Sequence, residues 1–382
     1  MTRVLILTFW YPTPGSHLGI FIKEYAAAIS RAGADVTVLA IVHSAGPGLL
    51  NGKVQSFKDE SGVQTRLLHL RGMLHNAAYN NPWLLFRYVR KQYAEILKSG
   101  FKPDIIHAQV LYPGAAIGRM LADFTGLPFM LTEHWSGVAR YMKHNKLAWL
   151  GRRAYAEARA ITVVSQFLYG QIEGFIADKS KIALIPNVID ADIFTYKPKP
   201  DPEKGFIEIF SVMNLTPPKR PEVVIPALAA IRKKGFNLRY TIAGYGEMQA
   251  MLEKLAAENG LPMRFIGRSE KAEIAALMQQ SHIFLHPSDY ETFGIVAREA
   301  LATGTPVVCS NLPAMREMMN PGDGFICENT PESWEWTIER ALKTDWDYAD
   351  ISNRNRKRYS AETVGNAFND LYTQVLAKEP IN

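Results

Sequence analysis

Two glutamates, Glu291 and Glu299, carry the clearest chemistry in the sequence. They lie in the run Ile283–Ser310, IFLHPSDYETFGIVAREALATGTPVVCS. Ile283-Phe284-Leu285 reads as a short buried strand, broken by Pro287-Ser288-Asp289. From Phe293 to Thr303 the apolar residues Phe293, Val296, Ala297, Ala300 and Leu301 recur at helical spacing. Gly304 stops that helix, and Val307-Val308-Cys309 begins a second strand. The E-x7-E spacing is about two helical turns, so both carboxylates can face one side. Between them Thr292, Phe293 and Gly294 are expected to present free backbone N–H groups at a helix start, where a diphosphate can bind. Isolated from this context, the pair reads equally as an acidic cation site or as two solvated glutamates.

Other residues carry chemistry at strand ends. His134 follows the strand Pro128–Thr132, and parallel sheets place ligand contacts there. A histidine satisfied by backbone is the alternative. Lys219 and Arg220 close the loop Met213-Asn214-Leu215-Thr216-Pro217-Pro218, which ends another strand. Gly19 opens a helix and can let the backbone approach a phosphate, or simply make a tight turn. Gly244-Tyr245-Gly246 follows a strand in the same way, a weak signal alone. Arg268 sits at a strand end, facing a ligand or solvent. Two D-x-D patterns, Asp190-Ala-Asp192 and Asp345-Trp-Asp347, could nominally hold a metal. Neither falls where a metal site is expected, and the reading is metal-free.

These residues need a scaffold, and the chain supplies an alternation of strands and helices. Val4–Leu7, a helix over 19–32 and Val36–Leu39 make one opening unit. Strands at 104–107, 128–132, 161–165 and 182–185 continue it, with a helix over 114–124. A Pro- and Lys-rich stretch, Tyr196–Gly205, reads as a connection. A second series follows: strands at 207–212, 238–243 and 264–266, helices over 221–234, 248–258 and 272–280. Gly322–Cys327 and a helix over 332–342 complete it. The pattern at 361–377 (Val364, Phe368, Leu371, Tyr372, Val375) is an amphipathic helix. Alternation of this kind predicts α/β architecture with parallel sheets covered by helices.

A length of 382 residues and 47% apolar content suit two such domains. Two cysteines, Cys309 and Cys327, argue against a disulfide framework. No apolar run reaches the roughly 18–20 residues of a spanning helix, and the chain opens on a strand, so a cytoplasmic protein without a signal peptide is expected. The net charge of +6 is uneven: residues 1–190 hold 21 Lys/Arg against 12 Asp/Glu, residues 191–382 hold 22 against 25. Two segments concentrate the excess. Residues 66–102 carry seven basic residues and one acid among Trp83, Phe86, Tyr88 and Tyr93; residues 139–160 carry six and one, with Trp149. As helical patches they suit an anionic membrane surface, with solvated helix faces as the alternative. No nucleic-acid-binding module is present, and nucleic acid is not an expected partner.

The segment D-Y-E-T-F-G-I-V-A-R-E-A-L-A-T-G-T-P-V-V resembles the E-x7-E segment of family 4 retaining glycosyltransferases. The resemblance extends over nearly the whole chain, through P-N-V-I-D at Pro186–Asp190, G-Y-G at Gly244–Gly246 and the loop ending in Lys219. It implies the GT-B fold: two Rossmann-like, doubly wound domains facing a central cleft. Residues 1–190 would form the acceptor side, with the C-terminal helix 361–382 packing back on it, and 191–360 would bind the nucleotide sugar.

The resemblance also implies roles. Glu299 would hold the ribose hydroxyls, Glu291 would lie near the donor sugar and phosphates, and Lys219 would pair with the diphosphate. His134, in T-x-H, would lie close to the transferred sugar, and Gly246 and Arg268 near the nucleotide. Asn214 stands where the family usually has arginine, and Val188 replaces the glycine of P-N-G-V-D. One cationic contact is then missing, or is supplied by Arg220 or Arg268. The implied activity is a metal-independent, retaining transfer of a hexosyl or N-acetylhexosaminyl group from a nucleotide-diphosphate sugar, with no cofactor. The acceptor would be a glycan or lipid-linked, in cell-surface polysaccharide or glycolipid synthesis, with the enzyme cytoplasmic or peripheral on the inner membrane face. A nucleotide-sugar epimerase or hydrolase, or a binding protein without turnover, is the alternative.

Overall fold

The apolar runs become strands in two sheets. β1 (Arg3–Thr8), β2 (Asp35–Ser44), β3 (Asn51–Lys58), β4 (Gln64–Arg71), β5 (Ile105–Gln109), β6 (Phe129–Glu133), β7 (Ala160–Val163) and β8 (Ile182–Leu184) make the first, in the order β3-β4-β2-β1-β5-β6-β7-β8. β9 (Ile207–Val212), β10 (Leu238–Ala243), β11 (Met263–Phe265), β12 (Ile283–His286), β13 (Val307–Ser310) and β14 (Gly324–Cys327) make the second, in the order β11-β10-β9-β12-β13-β14. Every pairing is parallel except β3 with β4. The computed structural model describes residues 1–14, 16–201 and 205–378. Gly15, residues 202–204 of the expected connection and residues 379–382 of the expected last helix lie outside these.

The chain divides into two compact units, Met1–Val188 with Ala361–Asn382, and Ile189–Ser360. In the first, Val4 to Leu7 of β1 are fully buried, as a central parallel strand covered on both faces must be. The helix Ala361–Ala377 packs on the helix Ile20–Arg31. Contact is close enough that a Cβ on Gly365 would lie 2.3 Å from the Ala28 carbonyl oxygen.

The structure departs from the sequence reading at five elements. Residues 66–71 are strand β4, not a helical patch. Its partner β3 is exposed along its whole length, so no apolar alternation marked it. The helix expected from Phe293 starts at Ile295, because Gly294 is left-handed with φ 73° and turns the chain before the first helical residue. Two helices, Pro313–Met318 and Tyr348–Tyr359, had no strong apolar period to announce them. Proline at the first position starts the former, and the Asp347 side chain accepts from Asp350 N–H to start the latter.

Candidate functional site

In the second unit, the loop after β12 and the loop after β9 are zipped together. Arg220 N–H donates to the Pro287 carbonyl at 3.2 Å and Asp289 N–H to the Pro218 carbonyl at 2.9 Å. This brings Lys219 to Glu291, far away in sequence: Lys219 Nζ donates to Glu291 Oε2 at 2.9 Å. The same oxygen lies 3.2 Å from His286 Nε2. Glu291 Oε1 accepts from the N–H groups of Thr292 and Phe293, at 3.0 and 3.4 Å. Those two donors were expected to be free for a ligand; the carboxylate just before the turn occupies them instead. The helix itself begins at Ile295, one residue past Gly294, and no side chain caps its first N–H groups among the described residues.

The electrostatics follow from these contacts. Burial pushes the Glu291 carboxyl up, but the bond from His286 and the charge of Lys219 outweigh it and hold the group well below the usual carboxylate range. His286 is lowered by burial and then by the Lys219 charge, so its ring is neutral and donates through Nε2. The Lys219–Glu291 pair is thus an ion pair that cancels its own charge beside a helix N-terminus. An anion can approach that terminus without meeting a net negative group.

Glu299 is the opposite case. It lies within the helix Ile295–Ala302, is buried, and has no hydrogen-bond partner among the described residues. Burial raises its carboxyl to about 7, against the charge of Lys271 and with help from Asp190. A buried carboxyl without donors is a group prepared for donors from elsewhere.

The glycines have reasons of their own. A Cβ on Gly244 would lie 1.7 Å from the Met213 carbonyl oxygen, and one on Gly246 2.3 Å from that of Leu215. Only glycine lets the strand ends of β9 and β10 come this close. Asn214, between Met213 and Leu215, is exposed. Arg220 is paired with Glu222 and, at 2.8 Å, with Asp289. Arg268 stacks on Tyr245, its guanidinium 4.9 Å from the ring centre, and bonds the Tyr245 hydroxyl. Asp190 caps its own turn through the N–H groups of Asp192 and Ile193. Both D-x-D patterns therefore begin or end on an aspartate serving the local backbone.

In the first unit, Gly19 is left-handed at φ 79°, and a Cβ there would lie 2.3 Å from the Trp10 carbonyl oxygen. It stands at the start of the helix Ile20–Arg31. His134 is buried, its ring 4.6 Å from Phe21 and 5.4 Å from Tyr25, with Nε2 2.9 Å from Gln109 Oε1. Burial lowers it to about 3, so the ring is neutral. Its neighbour Glu133 accepts from the N–H groups of Leu111, His134 and Trp135.

Sequence reasoning missed His286 and Gln109. His286 ends a parallel strand, the same signal that selected His134. Gln109 ends β5 in the same way, and no residue type marked it.

Comparison with known proteins identifies these two parallel-sheet units as a glycosyltransferase of GT-B type. The chain belongs to glycosyltransferase family 4: the model for Glycosyltransferase Family 4 matches residues 18–193, and that for Glycosyl transferases group 1 matches residues 192–358. Glycogen synthase of Mycobacterium tuberculosis is 28% identical over 352 residues, covering 85% of this chain and 82% of the relative. A GDP-mannose-dependent phosphatidylinositol dimannoside mannosyltransferase of the same organism is 36% identical over 150 residues, 39% of this chain and 38% of that one. Among solved structures, sucrose-phosphate synthase of Thermosynechococcus elongatus superposes with a TM-score of 0.71 at 18% identity, covering 99% of this chain and 100% of that one. Anabaena HepE in complex with UDP and glucose gives 0.71 at 16% identity, over 98% and 100%.

Proposed function

We propose that the protein transfers a hexosyl or N-acetylhexosaminyl group from a nucleotide-diphosphate sugar to a glycan or lipid-linked acceptor, with retention and without a metal or cofactor. The observation that carries the donor half is the Lys219–Glu291–His286 cluster at the start of the helix that bears Glu299. Ribose hydroxyls would donate to Glu299, whose buried carboxyl has no donor among the described residues. The diphosphate would meet the helix N-terminus and a remaining N–H of Lys219, which has three and gives one to Glu291. As the sugar–phosphate bond breaks, those donors face the oxygen on which charge grows. The departing phosphate takes the acceptor proton as the new glycosidic bond forms on the same face. His134 would contact the transferred sugar as a neutral ring.

Purified protein incubated with GDP-mannose, UDP-glucose and related donors, with and without glycan acceptors, tests this reading. Release of nucleoside diphosphate that rises with acceptor is expected. Release equal without acceptor would favour a hydrolase, and diphosphate binding without any release would leave a binding protein.

A second observation favours an acceptor presented at an anionic membrane. No helix among the described residues is long and apolar enough to cross a bilayer. The helix Pro82–Lys98 instead exposes a stripe, Trp83, Arg87, Arg90, Ala94 and Leu97, at the 4-3-4-3 spacing of one face. Trp83 and Leu97 are 60% and 38% exposed, and Phe124 beside the stripe is 57% exposed. A cavity of about 490 Å³ there is lined by Arg87, Arg90, Lys91, Leu97 and Phe124. The helix's one acid, Glu95, is paired with Lys98. Cations between aromatic and aliphatic ends suit a helix lying in a headgroup layer. The combined change Arg87→Glu, Arg90→Glu and Lys91→Glu should abolish sedimentation with phosphatidylglycerol vesicles; unchanged sedimentation, or equal binding to phosphatidylcholine, overturns the membrane reading.

A further inference from the structure

His107 and Gln109 are two residues apart on β5, so their side chains leave the same face of the sheet. Thr132 ends the neighbouring stretch of β6, paired with Gln109, and His134 follows that strand. All four residues are buried. Gln109 bridges the two rings: one end of its amide is 3.0 Å from His107 Nε2 and the other is 2.9 Å from His134 Nε2. On its far side, His107 Nδ1 is 2.7 Å from the hydroxyl of Tyr372 on the helix Ala361–Ala377. His107 Nε2 is also 2.6 Å from Thr132 Oγ1.

A primary amide has one donor end and one acceptor end. The histidine that meets its N–H must offer a lone pair, and the histidine that meets its carbonyl must offer an N–H. One of the two Nε2 atoms carries hydrogen, therefore, and the other does not. We propose that Gln109 is a positioning residue that locks His107 and His134 into opposite tautomers, with the hydrogen of His134 on Nδ1.

The second half follows from the polar atoms left over. With the Gln109 carbonyl toward His134, the His134 hydrogen sits on Nε2. His134 Nδ1 and Asn187 Oδ1 are then buried acceptors without donors. Asn187 is the neighbour whose side chain favours a proton on His134. With the amide turned, the same heavy-atom positions give a chain of donors running one way. Tyr372 O–H donates to His107 Nδ1, His107 Nε2–H to Gln109 and Gln109 N–H to His134 Nε2, which leaves the His134 hydrogen on Nδ1. Turning the amide makes His134 Nδ1 a donor in place of one of the two buried acceptors that stood without a donor, and a small shift of the Asn187 side chain would let it accept.

This inference rests on the reading that His134 contacts the transferred sugar, and it says in what form. A doubly protonated His134 would set its Nε2–H against the Gln109 N–H, so the chain opposes an imidazolium, as burial does. His134 therefore works as a neutral ring of fixed orientation and not as a general acid. The titratable groups around it are Tyr25 on the helix Ile20–Arg31, His107 on β5, and Glu133. Burial lifts Glu133 to about 7. A pH limb near neutrality in the unaltered enzyme is thus assigned to Glu133 or Glu299.

Ring 15N–1H spectra of the full chain, labelled at histidine and recorded from about pH 5 to 8, test the tautomers directly. The expected result is hydrogen on Nε2 of His107 and on Nδ1 of His134, with no second hydrogen on either ring. The same tautomer on both rings overturns the coupling, and the reverse pair overturns the assigned direction; neither reading needs a variant to fold. Gln109→Glu presents acceptor oxygens to both rings. In it, His134 should gain a second hydrogen as pH falls, and nucleotide release from GDP-mannose or UDP-glucose should gain an acidic limb absent from the unaltered enzyme. A second hydrogen with an unchanged release profile overturns the positioning role. Failure of the transferase reading itself shows separately, as no release by the unaltered enzyme.

Discussion

His286 ends β12 in one unit, and His134 follows β6 in the other. Both rings are buried and neutral, yet one stands in a cluster of formal charges and the other in a chain that has none. His286 donates to Glu291, which also holds Lys219. His134 is linked through Gln109 to His107 and Tyr372, and no ion pair among the described residues enters that chain. Under the proposed reading, the difference matches what each unit handles. A diphosphate brings charge, and fixed charges near a helix start can receive it. A sugar hydroxyl brings none, and a neutral network can orient against it without the desolvation cost of an ion.

The comparison breaks most severely at Lys219. Lys219→Ala leaves Glu291 ionised and without its cation in a largely buried position, which costs on the order of 3 kcal/mol. Nucleotide release should fall about 100-fold or more, and thermal unfolding should move to lower temperature. Retention of either would detach the ion pair from the reaction. His134→Gln, in the uncharged unit, should leave nucleoside-diphosphate affinity by calorimetry unchanged while lowering release.

The next effect concerns Glu299. Glu299→Ala should weaken nucleoside-diphosphate binding by about 1–3 kcal/mol, measured by calorimetry. Its pH dependence has a definite sign. The folded-state carboxyl titrates near 7, above the ordinary 4.5. The native state therefore holds a proton that the unfolded state has released, and the group destabilises the fold as pH rises through that window. Glu299→Gln should raise the unfolding temperature more at pH 8 than at pH 5. Hydroxyl donors favour the carboxylate, so diphosphate binding should release protons near neutrality. Equal proton release by the glutamine variant would remove Glu299 from the contact.

Asn214→Arg is a smaller test. Arg220 is already held by two carboxylates and Arg268 by Tyr245. If another cation has replaced the one that Asn214 lacks, the change gains little and Arg220→Ala or Arg268→Ala lowers release. Release rising severalfold above the unaltered enzyme would show instead a site short of one charge. The smallest effect is expected from EDTA, which should leave turnover unchanged; strict dependence on added manganese or magnesium would overturn the metal-free reading.

Most of the fold was readable, because buried parallel strands and amphipathic helices announce themselves within a dozen residues. β9, β10 and the last helix begin and end where periodicity placed them. β3 was not readable, since none of its side chains is buried and exposed residues follow no apolar alternation. The helix after Glu291 was placed two residues early, because Phe293 fits the apolar period while Gly294 sets the backbone.

Glu291, Gly294 and Glu299 belong to one local stretch, and their spacing alone put two carboxylates and a helix start together. The glycines at 244 and 246 were legible only as a weak pattern; their reason, the nearby Met213 and Leu215 carbonyl oxygens, is tertiary. What folded structure decided was partnership across sequence distance. It gave Glu291 to Lys219 and His286, and turned the Thr292 and Phe293 N–H groups inward. It left Glu299 without a donor among the described residues, and joined Tyr372 of the last helix to His107 and Gln109 of β5. Spacing within a helix is set by local geometry, which a sequence states. The charge a buried carboxyl keeps depends on which distant donors the fold brings within about 3 Å, and that the sequence does not state.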